Sequence, residues 1–290
     1  HQSFKKNKQM KTIIIPTDFS PTALNATNYA VDMALALDAA VLLLHVYQLP
    51  VSYNNNMDVP LPVIDINQIE EINKEKIQTL KEQLQHITSN KIKIDTDVRM
   101  GMLTDELEEL CETVKPFAIV MGNRGGGAVE RLLVGSSTLS AIKNLKWPIV
   151  VVPSGATFNG IKKIGFASDL KKIEETTPVA YLKEWTKTFG AELGVLNVDY
   201  NKDSFSEETK SQAALLQSLL GEEVKTGFFF INNEDVETGI NEFAESNNLD
   251  LLIVVPRRHN LFERLFQKSH ASELVFHSRI PILSIHEKED

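Results

Sequence analysis

The sequence predicts an α/β protein built as two tandem domains, each a doubly wound, parallel five-stranded sheet with helices on both faces. Three observations predict it. Short apolar runs of strand length alternate with longer segments of helical periodicity. The same landmarks return in the same order past residue 160, so a whole domain is duplicated. A chain of 290 residues is long enough for about two ordinary domains. The boundaries expected are 10–153 and 161–286, with Pro153–Gly160 as the linker.

In the first half, Thr12–Pro16 reads as a buried strand followed by Thr17-Asp18-Phe19-Ser20. Ser20 caps a helix with Pro21 at its first position. Ala23, Ala26, Ala30, Ala34 and Leu37 give that helix a small-residue face that can lie close on a sheet. Val41–Val46 is the second strand. His45 within it reads as a hydrogen-bonded core residue rather than a catalyst. Tyr47–Asp65 is a long connection of the kind that serves as a lid or binding loop. A helix follows, with Ile66, Ile69, Ile72, Ile77, Leu80, Leu84 and Ile87 at helical spacing. Lys91–Val98 reads as a strand and Met102–Val114 as a helix, whose Asp105, Glu106, Glu108 and Glu109 form a solvated side. Phe117–Met121 is a buried strand, a helix opens near Ser137, and Pro148–Val152 is the last strand.

The second half repeats this order. Lys163–Asp169 parallels Thr12–Asp18, Ala191–Val198 parallels Ala40–Val46, Leu249–Val255 parallels Phe117–Met121, and Ile280–Ile285 parallels Trp147–Val152. In this alignment Pro256, which has no N–H, stands for the first loop glycine, and Lys268-Ser269 for Gly135-Ser136. Arg257, Arg258, His259, Arg264, Lys268 and His270 form a basic island, read either as a solvated surface or as an anion site.

Composition narrows the function classes. Residues 1–155 carry 15 Lys and Arg against 17 Asp and Glu, a balance of −2, and residues 156–290 carry 15 against 22, or −7. A net charge of −9 argues against a general nucleic-acid binder. No apolar run has the length of a membrane span or a signal-peptide core, and residues before Met10 are set aside as an arm outside the fold. The single cysteine, Cys111, leaves no intrachain disulfide and reads as a small buried hydrophobe, and the expected compartment is the cytoplasm. The seven histidines show no metal-ligand spacing.

The stretch from Ala118 to Ser137 carries the chemistry. A strand ends at Gly122, Gly125-Gly126-Gly127 follow, and Gly135-Ser136-Ser137 open a helix. Glycines let a backbone approach a ligand closely and turn its N–H groups toward an anion. The first N–H groups of the helix lack partners within it, and with the positive end of the dipole they favour phosphate. Ser136 or Ser137 can serve as N-cap, and Arg124 can add charge-assisted bonds. Asp18 and Val46 end neighbouring strands, where ligands of doubly wound sheets bind.

The spacing Gly122, two residues, Gly125, nine residues, Gly135-Ser136 resembles the nucleotide loop of the universal stress protein family, in its ATP-binding branch. It is neither a Walker loop nor a Rossmann fingerprint. The resemblance covers nearly the whole chain as a tandem member, and implies a Rossmann-like, adenine nucleotide α-hydrolase-like fold. It implies that Asp18, Val46 and Met121 frame the adenosine and that Gly122, Arg124, Gly125, Gly135, Ser136 and Ser137 hold the phosphates. The ligand expected is ATP, with ADP or AMP as alternatives, and Mg²⁺ would ride on the phosphates. The implied role is stress-response regulation with one nucleotide site per chain. Two other classes stay open: a slow adenine-nucleotide hydrolase and a nucleotide-independent scaffold. No nucleophile–base pair is placed, so turnover is expected to be weak or absent. The apolar last strands, Pro148–Val152 and Pro281–Ile285, would be exposed sheet edges, so the halves are expected to pair through them as an intrachain pseudo-dimer. A homodimer of whole chains and the protein partners stay open.

Overall fold

The computed structural model describes residues 10–49, 65–123, 136–199, 206–256 and 279–286. Among them the first half runs β1 (Thr12–Pro16), α1 (Pro21–Leu37), β2 (Ala40–Tyr47), α2 (Ile66–Ile87), β3 (Ile94–Met100), α3 (Leu103–Val114), β4 (Ala118–Gly122), α4 (Ser136–Asn144) and β5 (Ile149–Val152). The second runs β6 (Lys163–Ala167), α5 (Ile173–Thr176), α6 (Val179–Phe189), β7 (Glu192–Asp199), α7 (Glu207–Leu220), β8 (Thr226–Asn232), α8 (Val236–Ser246), β9 (Leu251–Val254) and β10 (Ile282–Ser284). No helix among the described residues is long and apolar enough to cross a membrane.

The strands form one sheet in the order β3-β2-β1-β4-β5-β10-β9-β6-β7-β8. Each half is parallel within itself, and the halves join where β5 and β10 pair antiparallel, with Val151 opposite Ile282 and Ile149 opposite Ser284. The two apolar strands thus cover each other's edges inside one chain. The antiparallel seam also sends the carboxyl ends of the two parallel sets to opposite edges of the sheet.

Local sequence explains the elements. Ser20 accepts from the Ala23 N–H and Pro21 stands at the first helical position of α1. Ala26, Ala30 and Ala34 are fully buried, so α1 lies close on the sheet. The strands of each half's centre are apolar throughout because both sheet faces are covered. One core face runs continuously through both halves, from Ile13 on β1 to Ile285 after β10. On it, Phe117 stacks on Trp185 of α6 with ring centroids 4.7 Å apart. The Lys11 ammonium sits 3.8 Å over the Phe117 ring and pairs with Glu184 at 2.6 Å. The opposite face holds separate clusters under α3 and α4 and under α8.

Several sequence expectations shift. The third strand runs Ile94–Met100 rather than Lys91–Val98, because a turn with left-handed Ser89 and Asn90 follows α2 and occupies the earlier residues. On α2 the row that meets the sheet is Asn73, Ile77, Leu80 and Leu84, whereas Ile66, Ile72 and Ile87 fall off that stripe and are exposed. Glu106 and Glu109 are not merely solvated. Both accept from Arg99, which also binds Asp97. The counterpart of α1 is broken into α5 and α6, with Thr177-Pro178 between them.

Candidate functional site

The order β3-β2-β1-β4 places a topological switch point between β1 and β4. The chain leaves β1 toward β2 on one side and comes back to β4 on the other, so the connections diverge and leave a crevice at the carboxyl edge. Thr17–Ser20, the end of β2, the end of β4 and the first turn of α4 all reach this edge.

The turn after β1 is tightly specified. The buried Thr17 donates its N–H to the Leu44 carbonyl at 2.8 Å, and its Oγ1 accepts from the Phe19 N–H at 3.1 Å. Asp18 is exposed, and its Oδ1 accepts from the Ser20 N–H at 3.0 Å. Phe19 is held at φ 62°, a left-handed conformation that a bulky side chain seldom takes. The turn thereby holds the Asp18 carboxylate, exposed, at this edge of the sheet. His45 on β2 donates from Nδ1 to the Thr17 carbonyl at 2.8 Å, and its Nε2 lies 3.2 Å from Asn73 Oδ1 of α2. His45 is therefore the hydrogen-bonded core residue that its place in an apolar strand implied. Val46, one residue on, packs with Met121 of β4 on the sheet face under α3 and α4.

At the end of β4, Gly122 has a packing role that the sequence did not disclose. A Cβ there would lie 2.6 Å from the Thr22 carbonyl oxygen, so α1 begins directly against it. Thr138, in the first turn of α4, donates from Oγ1 to the Gly122 carbonyl at 3.2 Å and fixes the start of α4 beside the strand end. The described part of the helix starts at Ser136. Ser136 and Ser137 are both exposed at this end of α4, where the N–H groups of a helix lack intrahelical partners. Asn123 was not singled out from the sequence. It is buried, its N–H donates to the Val152 carbonyl at 2.9 Å, and its Oδ1 has no partner among the described residues. Arg124, Gly125 and Gly135 lie outside the described residues, as do most of the Tyr47–Asp65 connection and the basic island. Among the expected site residues, Asp18, Val46, Met121, Gly122, Ser136 and Ser137 thus come to one edge of the sheet around one switch point.

The second half rebuilds the turn atom for atom. Ser168 donates its N–H to the Leu196 carbonyl at 2.9 Å and accepts from the Leu170 N–H at 3.1 Å. Asp169 Oδ1 accepts from the Lys171 N–H at 3.1 Å, and Leu170 is again left-handed, at φ 51°. The register corrects the alignment at the end of β9. Ile13 pairs with Ala118 and Ile164 pairs with Leu251, so Val255 stands in the place of Gly122 and Pro256 in that of Asn123. The frame had slipped by one residue because a uniformly apolar run has no internal landmark.

Cys111 is buried in α3, and burial beside Glu112 and Glu108 pushes its thiol up to about 12. It is a packed apolar group, as expected. Among the described residues no group of three or more His, Cys, Asp or Glu side chains could hold a metal ion.

Comparison with known proteins agrees with the geometry. Universal stress protein MJ0531 of Methanocaldococcus jannaschii is 33% identical over 144 residues, covering 49% of this chain and 81% of that protein. Universal stress protein G of Escherichia coli O157:H7 is 31% identical over 144 residues, covering 49% of this chain and 98% of its own length. Among solved structures, a universal stress protein from Archaeoglobus fulgidus shares the fold with a TM-score of 0.73 at 17% identity, covering 97% of this chain and all (100%) of that one. A functionally unknown protein, PA1789, from Pseudomonas aeruginosa PAO1 shares it with a TM-score of 0.61 at 10% identity, over 96% of this chain and 93% of that one. The family model for universal stress proteins matches residues 10–153 and again 160–286. With the duplicated order of strands and the duplicated turn, this makes the chain a tandem member of the universal stress protein family.

Proposed function

We propose that the first half binds one adenine nucleotide, ATP first, and that the protein serves as a nucleotide-dependent regulator in stress response. The observation that carries this reading is the convergence at the switch point between β1 and β4. There an exposed carboxylate held by a strained turn and the N-terminal end of α4 reach the same edge of the sheet. Asp18 suits the hydroxyl or amino donors of a nucleoside, since an ionised carboxylate only accepts. Val46 and Met121 supply apolar surface for a base. The N–H groups of Ser136 and Ser137, at the positive end of α4, suit phosphate, and Arg124, Gly125 and Gly135 complete the cradle in this reading. The buried Asn123 Oδ1 without a partner fits the same picture, because a bound group at the end of β4 would satisfy it. Mg²⁺ would be carried mainly on the phosphates.

The second half keeps the turn but carries Val255 at the place of Gly122, which adds bulk beside the strand end. Each chain therefore takes one ATP. Residues 10–153 form the nucleotide-binding domain and 161–286 the domain with the altered loop.

Isothermal titration of the full chain with ATP tests this. Saturation at one ATP per chain is expected, with affinity lowered about tenfold or more in Asp18→Ala, as for loss of a hydrogen bond to a charged group. Lack of ATP binding by the folded wild type would overturn the reading, and two equivalent sites would overturn its one-site part. Mass spectrometry of the nucleotide that co-purifies with the protein checks its identity independently.

A further inference from the structure

We propose that His45 is the positioning residue for the Asp18 turn, and that Asn197 is its counterpart in the second half. The inference rests on the reading of Asp18 as the nucleoside seat, and adds the residue that holds the seat in place. The register fixes the equivalence. Pro16 pairs with Leu44 and Ala167 with Leu196, so the next residues, His45 and Asn197, occupy one position. From it His45 Nδ1 donates to the Thr17 carbonyl at 2.8 Å, and Asn197 Nδ2 donates to the Ser168 carbonyl at 3.1 Å. Imidazole and carboxamide share little except a planar N–H donor at similar reach. That shared donor is what the position has kept.

The accepting carbonyl is the start of the turn. Thr17 is buried, and so is the strand around it, so a Thr17 carbonyl without a donor would remain unsatisfied. The two residues beyond it carry the turn's strain, at φ 62° for Phe19 and φ 51° for Leu170. Such backbone persists only where the surroundings over-determine it. The tether from β2 supplies that constraint, together with the Thr17 N–H bond to Leu44. His45 has further contacts. Its ring packs 4.7 Å from the Phe19 ring, and its Nε2 meets Asn73, whose Nδ2 in turn donates to the Ile69 carbonyl at 3.0 Å. His45 therefore joins the turn, β2 and α2 in the first half.

The test compares wild type, His45→Leu and His45→Asn as full chains, by amide hydrogen exchange at Thr17 and Phe19 and by ATP titration. In His45→Leu, exchange at both amides should quicken about tenfold and the ATP Kd should rise by a similar factor. In His45→Asn, which restores the donor seen in the second half, both should return to within about threefold of wild type. Wild-type exchange in His45→Leu, or exchange in His45→Asn as fast as in His45→Leu, overturns the proposal. Should His45→Leu fail to fold, His45→Asn alone decides. Protection like that of wild type supports the tether, and its loss in a folded protein sinks it. The exchange arm needs no nucleotide. A wild type that binds no ATP while exchange follows the expected pattern overturns the nucleotide reading and leaves the tether supported.

Discussion

Replacing Gly122 by alanine should destabilise the protein before any ligand is considered. The added Cβ would stand 2.6 Å from the Thr22 carbonyl oxygen and 2.7 Å from Thr22 Cγ2. Reaching 3.4 Å, where ordinary contact begins, requires about 0.8 Å of movement. The nearer atom is backbone, so no side-chain rotation relieves it, and α1 itself must tilt. That helix is pinned by Ala26, Ala30 and Ala34, which are fully buried against the sheet. Overpacking of this kind costs about 1–3 kcal/mol. At about 2–4 °C per kcal/mol for a unit of this size, Tm should fall by about 2–12 °C. Thermal and urea melts of the nucleotide-free protein measure it. Adding Thr22→Ala removes Cγ2 but not the carbonyl, so the double variant should recover only part of the loss. Asp18 lies just before α1, so ATP affinity should fall in parallel. A Gly122→Ala protein that melts with wild type in the absence of ligand would refute the packing argument and return the glycine to a purely ligand-facing role.

Other outcomes follow from the same geometry. Trp185→Ala should cost about 3–5 kcal/mol, because the indole is fully buried between Phe117 and Phe189 where the halves share a core. Trp185→Phe should cost less, since the buried Nε1 has no partner among the described residues, and chemical denaturation ranks the two. Cys111 should resist alkylation at pH 8.5 in the native protein and react once unfolded, as read by mass spectrometry. Its thiol is pushed up to about 12 in the fold, against about 8.5 in an unfolded chain, so its contribution to stability is full below about pH 8.5 and is lost as pH rises toward the folded value. ATP turnover, followed by phosphate release, should fall far below the enzyme median of about 10 s⁻¹. The reason is that both ring nitrogens of His45, the histidine at this edge, face protein partners, which leaves that imidazole no free nitrogen to activate water.

What the sequence disclosed and what it hid divide along physical lines. Strands and helix starts were legible where local chemistry decides them: Ser20-Pro21 for α1, the apolar run before Gly122 for β4, the final strands for the seam. The placement of Asp18, Val46 and Met121 at one edge was legible because strand ends in a doubly wound sheet converge by topology. Asn73 was not, because its burial depends on which row of α2 faces the sheet, and a polar residue in that row looks like surface until His45 is set opposite it. The tight approach of Thr22 to Gly122 was hidden too. It lies between residues 100 positions apart, and the glycine already had a sufficient explanation as a loop residue. Asn123 escaped for the same reason, with nothing local to mark it as buried.

The two halves show how a duplicated crevice can keep one wall and change the other. Both retain the turn with its left-handed residue, its aspartate and its donor from the second strand. At the end of the fourth strand they part, with Gly122 in the first half and the buried Val255 in the second. The helix that follows the turn differs between the halves as well. From Asp18 to Ala40 the chain spans 22 residues, and from Asp169 to the matching Glu192 it spans 23. The extra residue is absorbed where Thr177-Pro178 separates α5 from α6, and Pro178 has no N–H to continue the helix upstream. Lys172, just before α5, is left-handed at φ 49°, whereas α1 begins at Pro21 in ordinary helical geometry. In the first half the start of α1 at Thr22 leaves no ordinary room for a side chain at Gly122. The strand end and the helix start thus differ together between the halves, while the turn on the other side, held from β2 and β7, is the same in both.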